Sequence, residues 1–127
     1  MIIPNYIPIT AEQYDQLTTS DPDDAVGLVF VWMEEQANGP GTDIDKDADD
    51  LAAGLNEETT ASAVSGKTLL CQDPPLLVAT PEETPAMAQA LASASVKDEE
   101  LATSLETLAD FYASTAAQGH AVAIIYN

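Results

Sequence analysis

The chain contains no arginine and only three lysines, against 22 aspartates and glutamates, so its 127 residues carry a formal net charge of −19. A surface this poor in cations repels phosphate backbones and anionic headgroups at long range, which excludes direct nucleic-acid binding and adsorption to acidic membranes. Cysteine is nearly absent as well. A single Cys71 permits no internal disulfide and no thiolate zinc cluster, and its plain reading is a small buried apolar residue. No apolar run approaches the ~18 residues of a membrane span. The opening MIIPNYIPIT lacks the basic segment and long apolar core of a secretory signal. The expectation is a soluble, cytoplasmic protein.

What is present suffices for a core. Hydrophobic residues make up 46% of the chain, unlike a disordered acidic tail, and this length supports one hydrophobic core but not two. A single domain over residues 1–127 is expected.

Ile3, Ile7 and Ile9 share one side of an extended segment, while Pro4 and Pro8 withhold backbone donors, which predicts an edge strand. Thr10 with Gln13 forms a capping-box pattern opening a helix through Leu17. Asp21-Pro22 opens the next segment, where Val26, Val29, Phe30 and Met33 have helical spacing. The β-branched and aromatic content of GLVFVWM also fits a buried strand, so residues 22–36 stay open between the two. After the NGPG break, Ala48, Leu51, Ala52 and Leu55 predict an amphipathic helix beginning near Asp45. Residues 56–66 read as a polar loop, and KTLLC and PLLVAT as two short strands joined by the Gln72-Asp73-Pro74 turn. Thr80-Pro81-Glu82-Glu83 is a capping-box pattern for a helix on Met87 and Leu91, with Pro85 removing one hydrogen bond from its first turns. Leu101, Leu105, Leu108, Phe111 and Tyr112 define the last helix. Gly119 fits a left-handed cap, and AVAIIY is short and apolar enough to be a strand covered on both faces.

Three of these stretches carry a family likeness: DIDK at 43–46, ATPEETPAMAQAL at 79–91 and the closing LADFYASTAAQGHAVAIIYN, with SGKTL between them. In that order they resemble the YfbM-like proteins, small bacterial domains of unknown function, across residues 43–127. The resemblance implies an α+β fold and supplies no activity. This chain departs from the family where DIDK is usually followed by Ala-Trp and a His-containing helix, because Asp47-Ala48-Asp49-Asp50 stand there instead.

Asp43, Asp45, Asp47 and Asp49 have the spacing of a calcium loop, but Ala48 and Gly54 occupy the positions where such a loop needs its Gly and bidentate Glu. SGKT at 65–68 echoes a phosphate loop, yet Ala61 replaces its first Gly and no apolar strand precedes it. Cys71 and His120 form a nucleophile and base only if the fold joins them, with no third group indicated. The pairs Asp49-Asp50, Glu57-Glu58, Glu82-Glu83 and Glu99-Glu100 sit in polar, cap-like positions rather than in environments that split two carboxyl pKa values. No catalytic, cofactor or metal residues are therefore assigned.

The charge distribution stands out: residues 21–58 hold twelve of the 22 acids and one lysine, Lys46. The expectation is a non-catalytic interaction domain. Its strip of Asp21, Asp23, Asp24, Asp43, Asp45, Asp47, Asp49 and Asp50 would dock on a basic protein, in the manner of inhibitors and immunity proteins that imitate a nucleic acid. A high-salt environment, which favours acidic surfaces throughout, is the alternative, and a small enzyme with an unidentified site is a third. The expected architecture is α+β: about four helices on a small mixed sheet of about four strands, edge strand first and last strand buried.

Overall fold

The computed structural model describes residues 2–127 and is organised around its last strand. Strand β5 (Ala121–Tyr126) pairs with β1 (Pro4–Ile9) on one side and β4 (Pro75–Ala79) on the other. The described residues complete a five-stranded sheet with β2 (Thr42–Asp43) beside β1 and β3 (Thr68–Gln72) beside β4, in the order β2-β1-β5-β4-β3. Every pairing is antiparallel, so the sheet is not mixed.

Strand alternation gives both faces of this sheet something to bury. Val122 and Ile124 of β5 share one face with Tyr6 and Ala79. Ala121, Ala123 and Ile125 share the other with Ile7, Ile9, Leu76 and Val78. The first face is covered by α3 (Ala48–Gly54), α4 (Glu58–Ser65), α5 (Thr84–Ser93) and α6 (Glu99–Ala117), through Leu51, Val64, Leu91 and Leu108 among others. The second is covered by α1 (Ala11–Thr19) and α2 (Pro22–Glu35), through Leu17, Val26, Val29 and Trp32. Each fully buried Leu or Ile contributes ~1.5–3 kcal/mol of transfer free energy. The last strand thus lies inside the sheet with helices on both faces, as its apolar run requires.

Local chemistry sets the helix boundaries. Thr10 and Gln13 form the reciprocal capping box that starts α1, with bonds of 2.9 and 3.1 Å. Residues 22–35 are helical: Pro22 occupies the first turn, and the buried set Ala25, Val26, Val29 and Trp32 has a helical period that outweighs the β-branched content. Helix α6 ends in a Schellman motif, with Gly119 at φ +71° and the amides of Gly119 and His120 donating to the carbonyls of Ala116 and Thr115.

Besides the sheet, which has five antiparallel strands rather than about four in a mixed one, the sequence expectation is corrected in its helices and in the place of β1. There are six α-helices among the described residues rather than about four. The extra ones include α4, expected as loop, whose buried face is Thr60, Ala63 and Val64, residues too small or polar to mark a helix by pattern alone. Strand β1 is not at the edge, because β2 pairs with it at Asn5 and Tyr6. The helix expected from Asp45 begins as a 3-10 turn over Asp45–Asp47 and becomes α-helical at Ala48. The Thr80–Glu83 box forms, at 2.9 and 3.0 Å, but α5 starts only at Thr84, since Pro85 has no N–H for the carbonyl four residues back.

Candidate functional site

The eight acidic residues of interest fall in two groups. Asp21, Asp23 and Asp24 surround the start of α2, in the layer on one face of the sheet. Asp43, Asp45, Asp47, Asp49 and Asp50 follow one another from β2 through the 3-10 turn into α3, which packs on the opposite face. All are exposed except Asp47, which is half-buried. Helix N-termini favour negative charge, which accounts for the placement of Asp23, Asp24, Asp49 and Asp50 in first turns.

Two carboxylates of the second group are held by hydrogen bonds. The Asp43 carboxylate accepts the Asp45 N–H at 3.0 Å, where Asp45 adopts φ +54°. Asp47 accepts the Ser104 hydroxyl of α6 at 2.7 Å, tying the start of α3 to the longest helix. Ile44 and Ala48 are buried beneath this segment and anchor it, while Asp43, Asp45, Asp49 and Asp50 stay exposed. A groove of about 330 Å³ runs beside it, bounded by Asp45, Asp49, Pro4 and Tyr126. None of the eight carboxylates makes an ion pair among the described residues; the pair that does form is Lys67 with Glu83.

The other motifs resolve into structural roles. Among the described residues no three His, Cys, Asp or Glu side chains converge as a metal site. Gly66, at φ +102°, lets the chain pass directly over Leu77, and the following Lys67 reaches Glu83 rather than forming a phosphate loop. Burial opposes charge on Glu83, but the Lys67 ammonium and the Thr80 N–H hold its carboxyl below the usual range. Cys71 is buried and its thiol points to the Asp73 carbonyl at 3.7 Å. His120 is not its partner, and the buried Nδ1 of that histidine has no hydrogen bond. A groove of about 540 Å³ beside α4 and α5 offers Glu57 as its one ionisable side chain, which provides no acid–base pair.

A cluster that sequence patterning missed is formed by three tyrosines at the C-terminus of α4. Tyr112 donates to the Ala63 carbonyl at 2.6 Å, Tyr6 to Val64 at 2.5 Å and Tyr126 to Ser65 at 2.9 Å. The Ser62 carbonyl takes the Gly66 N–H at 2.8 Å. All four carbonyls that a helix leaves orphaned are thereby satisfied. Burial pushes the Tyr6 and Tyr112 phenols far above their ordinary value, and does the same less strongly for Tyr126, where the nearby Asp49 carboxylate adds to it. These hydroxyls are committed donors, not acids poised for catalysis.

No helix among the described residues is long and apolar enough to cross a membrane. No family model matches the chain, and no curated protein matches it. Among solved structures it is similar to one described as a protein of unknown function, YfbM from Escherichia coli. The TM-score is 0.63 at 22% identity, over 97% of this chain and 99% of that one. At this identity the likeness is one of fold, and it extends the sequence resemblance of residues 43–127 back through β1, α1 and α2. The chain shares the fold of YfbM.

Proposed function

We propose that the chain is a non-catalytic interaction domain that docks on a basic protein through the acidic segment Asp43–Asp50, in the manner of an inhibitor or immunity protein. The observation that supports this reading is the run of carboxylates from Asp43 to Asp50, of which Asp43 and Asp47 are fixed by hydrogen bonds and none makes an ion pair among the described residues. A preorganised row of charge costs little ordering entropy on binding and accelerates encounter with a cationic surface. Asp21, Asp23 and Asp24, on the other layer, then form a separate patch that contributes to the long-range field.

A second reading has its own support. Glu99, Glu100 and Glu106 on α6 are also exposed, so acidity is spread over the surface in the way a high-salt environment favours. The test is capture of a basic partner by variants reversed at Asp45, Asp49 and Asp50, compared with variants reversed at Glu99, Glu100 and Glu106. Asp47 is left intact because it holds Ser104. Docking predicts loss of capture in the first set only; equal capture by both sets favours the environmental reading.

A further inference from the structure

Asn5, Asn38 and Asn56 precede tyrosine, glycine and glutamate respectively. The neighbour matters chemically. Asparagine deamidates when the amide nitrogen of the next residue attacks its side-chain carbonyl carbon; the side chains of Tyr6 and Glu57 obstruct that attack, whereas Gly39 has none. The fold holds both reacting groups of Asn38-Gly39 in other bonds. Asn38 Nδ2 donates to Gln13 Oε1 at 2.6 Å and to the Pro8 carbonyl at 3.2 Å, which uses both of its hydrogens. The Gly39 N–H donates to the Gln36 carbonyl at 3.0 Å. Gln13 Oε1 is itself fixed, because it also accepts the Thr10 N–H of the α1 capping box at 2.9 Å.

We propose that Asn38-Gly39 is a deamidation site latched by the fold: the closed contact of Asn38 with Gln13 and Pro8 blocks cyclisation, and release of the loop over residues 36–41 lets it proceed irreversibly. In the released loop the Gly39 nitrogen gives its proton to solvent and bonds to Asn38 Cγ. The Cγ–Nδ2 bond breaks, and Nδ2 leaves as ammonia after taking a proton from solvent. Water then opens the succinimide ring at either carbonyl, leaving aspartate or isoaspartate with no change in oxidation state. Neither product recloses the latch, because its carboxylate meets Gln13 Oε1 and the Pro8 carbonyl, two acceptors without a donor. A flip of the Gln13 amide would supply a donor only by turning its NH2 on the Thr10 N–H and breaking the capping box. Strand β2 covers β1 only at Asn5 and Tyr6, so the modified loop leaves the Pro8 end of β1 without its cover, as an open strand edge. Release of a surface loop costs less than global unfolding, and the reaction therefore proceeds from the folded protein.

Peptide mapping by mass spectrometry at mildly alkaline pH reads the rate at Asn38 in the folded and in the urea-unfolded chain. The folded chain should deamidate at least ~tenfold more slowly, since three hydrogen bonds must open first; equal rates overturn the latch. Gln13→Ala removes one acceptor and should accelerate the folded chain several-fold, whereas Gln13→Glu, whose carboxylate still accepts both N–H groups, should keep the native rate. A native rate in Gln13→Ala overturns the part given to Gln13. Hydrogen exchange on the same variants separates local release from unfolding. In Gln13→Ala the Gly39 amide should exchange faster by the same factor as deamidation, while the amides of α6 keep their protection. Asn38→Asp, which stands for the product, should likewise expose the Gly39 amide and spare α6. Loss of protection across α6 in either variant contradicts a local latch, and a Gly39 amide as protected in Asn38→Asp as in the native chain shows that the product recloses and overturns the proposal.

Discussion

The hydroxyl of Tyr112, on the last helix, donates to the carbonyl of Ala63 at 2.6 Å across 49 residues of sequence. With Tyr6 and Tyr126 beside it, this bond turns the end of a short helix into the junction of β1, α6 and β5. Helix α4 has only eight residues, fewer than an isolated helix needs in water, so its stability comes from this capping and from packing.

Tyr112→Phe should therefore cost ~1–3 kcal/mol, the penalty for leaving a buried carbonyl without its donor. Tyr126→Phe should cost less, because Tyr126 is only half-buried and water can replace it. Chemical denaturation of the two variants measures the difference, and equal losses would contradict the assignment of Tyr112 as the buried cap.

The same tyrosines make stability sensitive to alkali. Burial raises the phenols of Tyr6 and Tyr112 above their unfolded value of ~10. Below pH ~10 both states keep the protons and the contribution is complete; above it the unfolded chain ionises while the folded chain does not. Stability should then fall by ~1.4 kcal/mol per pH unit for each buried tyrosine. Urea midpoints between pH 8 and 11 (roughly the range spanning the unfolded phenol pKa) should decline for the native chain, with a shallower slope in Tyr112→Phe.

Removing the central strand should remove the fold. Deletion of Ala121–Tyr126 takes away the partner of both β1 and β4, and a sharp thermal transition in the truncated chain would contradict the topology. Leu108→Ala, at a fully buried position beneath the sheet, should cost ~2–5 kcal/mol as a cavity. A loss below ~0.5 kcal/mol would place Leu108 at the surface.

Gly66 is required for its backbone. At φ +102°, an added Cβ would stand 2.6 Å from Leu77 Cβ, so Gly66→Ala combines a left-handed strain of ~1–3 kcal/mol with a steric clash. Gly119→Asn, at φ +71° with open space around it, should be nearly neutral because Asn tolerates this region. Paired melting curves compare the two, and a neutral Gly66→Ala would show that Leu77 gives way.

Much of this fold was legible wherever a pattern is local. The Thr10–Gln13 box, the spacing of Leu101 to Tyr112, the Gly119 cap and the doubly buried AVAIIY all report neighbours within a turn or on one strand. Pattern failed where neighbours are distant. Helix α4 hides behind Thr60 and Ala63 because its partners are tyrosines 49 to 61 residues away, and two-residue β2 has no periodicity to read. The acidic residues were found by composition alone, which counts charge along the chain without assigning it to layers. Their division between α2 and the β2–α3 segment follows from the sheet placing those elements on opposite faces.

The docking of Asp43–Asp50 is tested most directly by association kinetics with a captured basic partner, measured by stopped flow from low to high potassium chloride. The account predicts an association rate that falls steeply with salt, falls again on reversal of Asp45, Asp49 and Asp50 with little change in dissociation, and barely responds to reversal of Glu99, Glu100 and Glu106. An association rate independent of salt, or equally reduced by both sets of reversals, would contradict it.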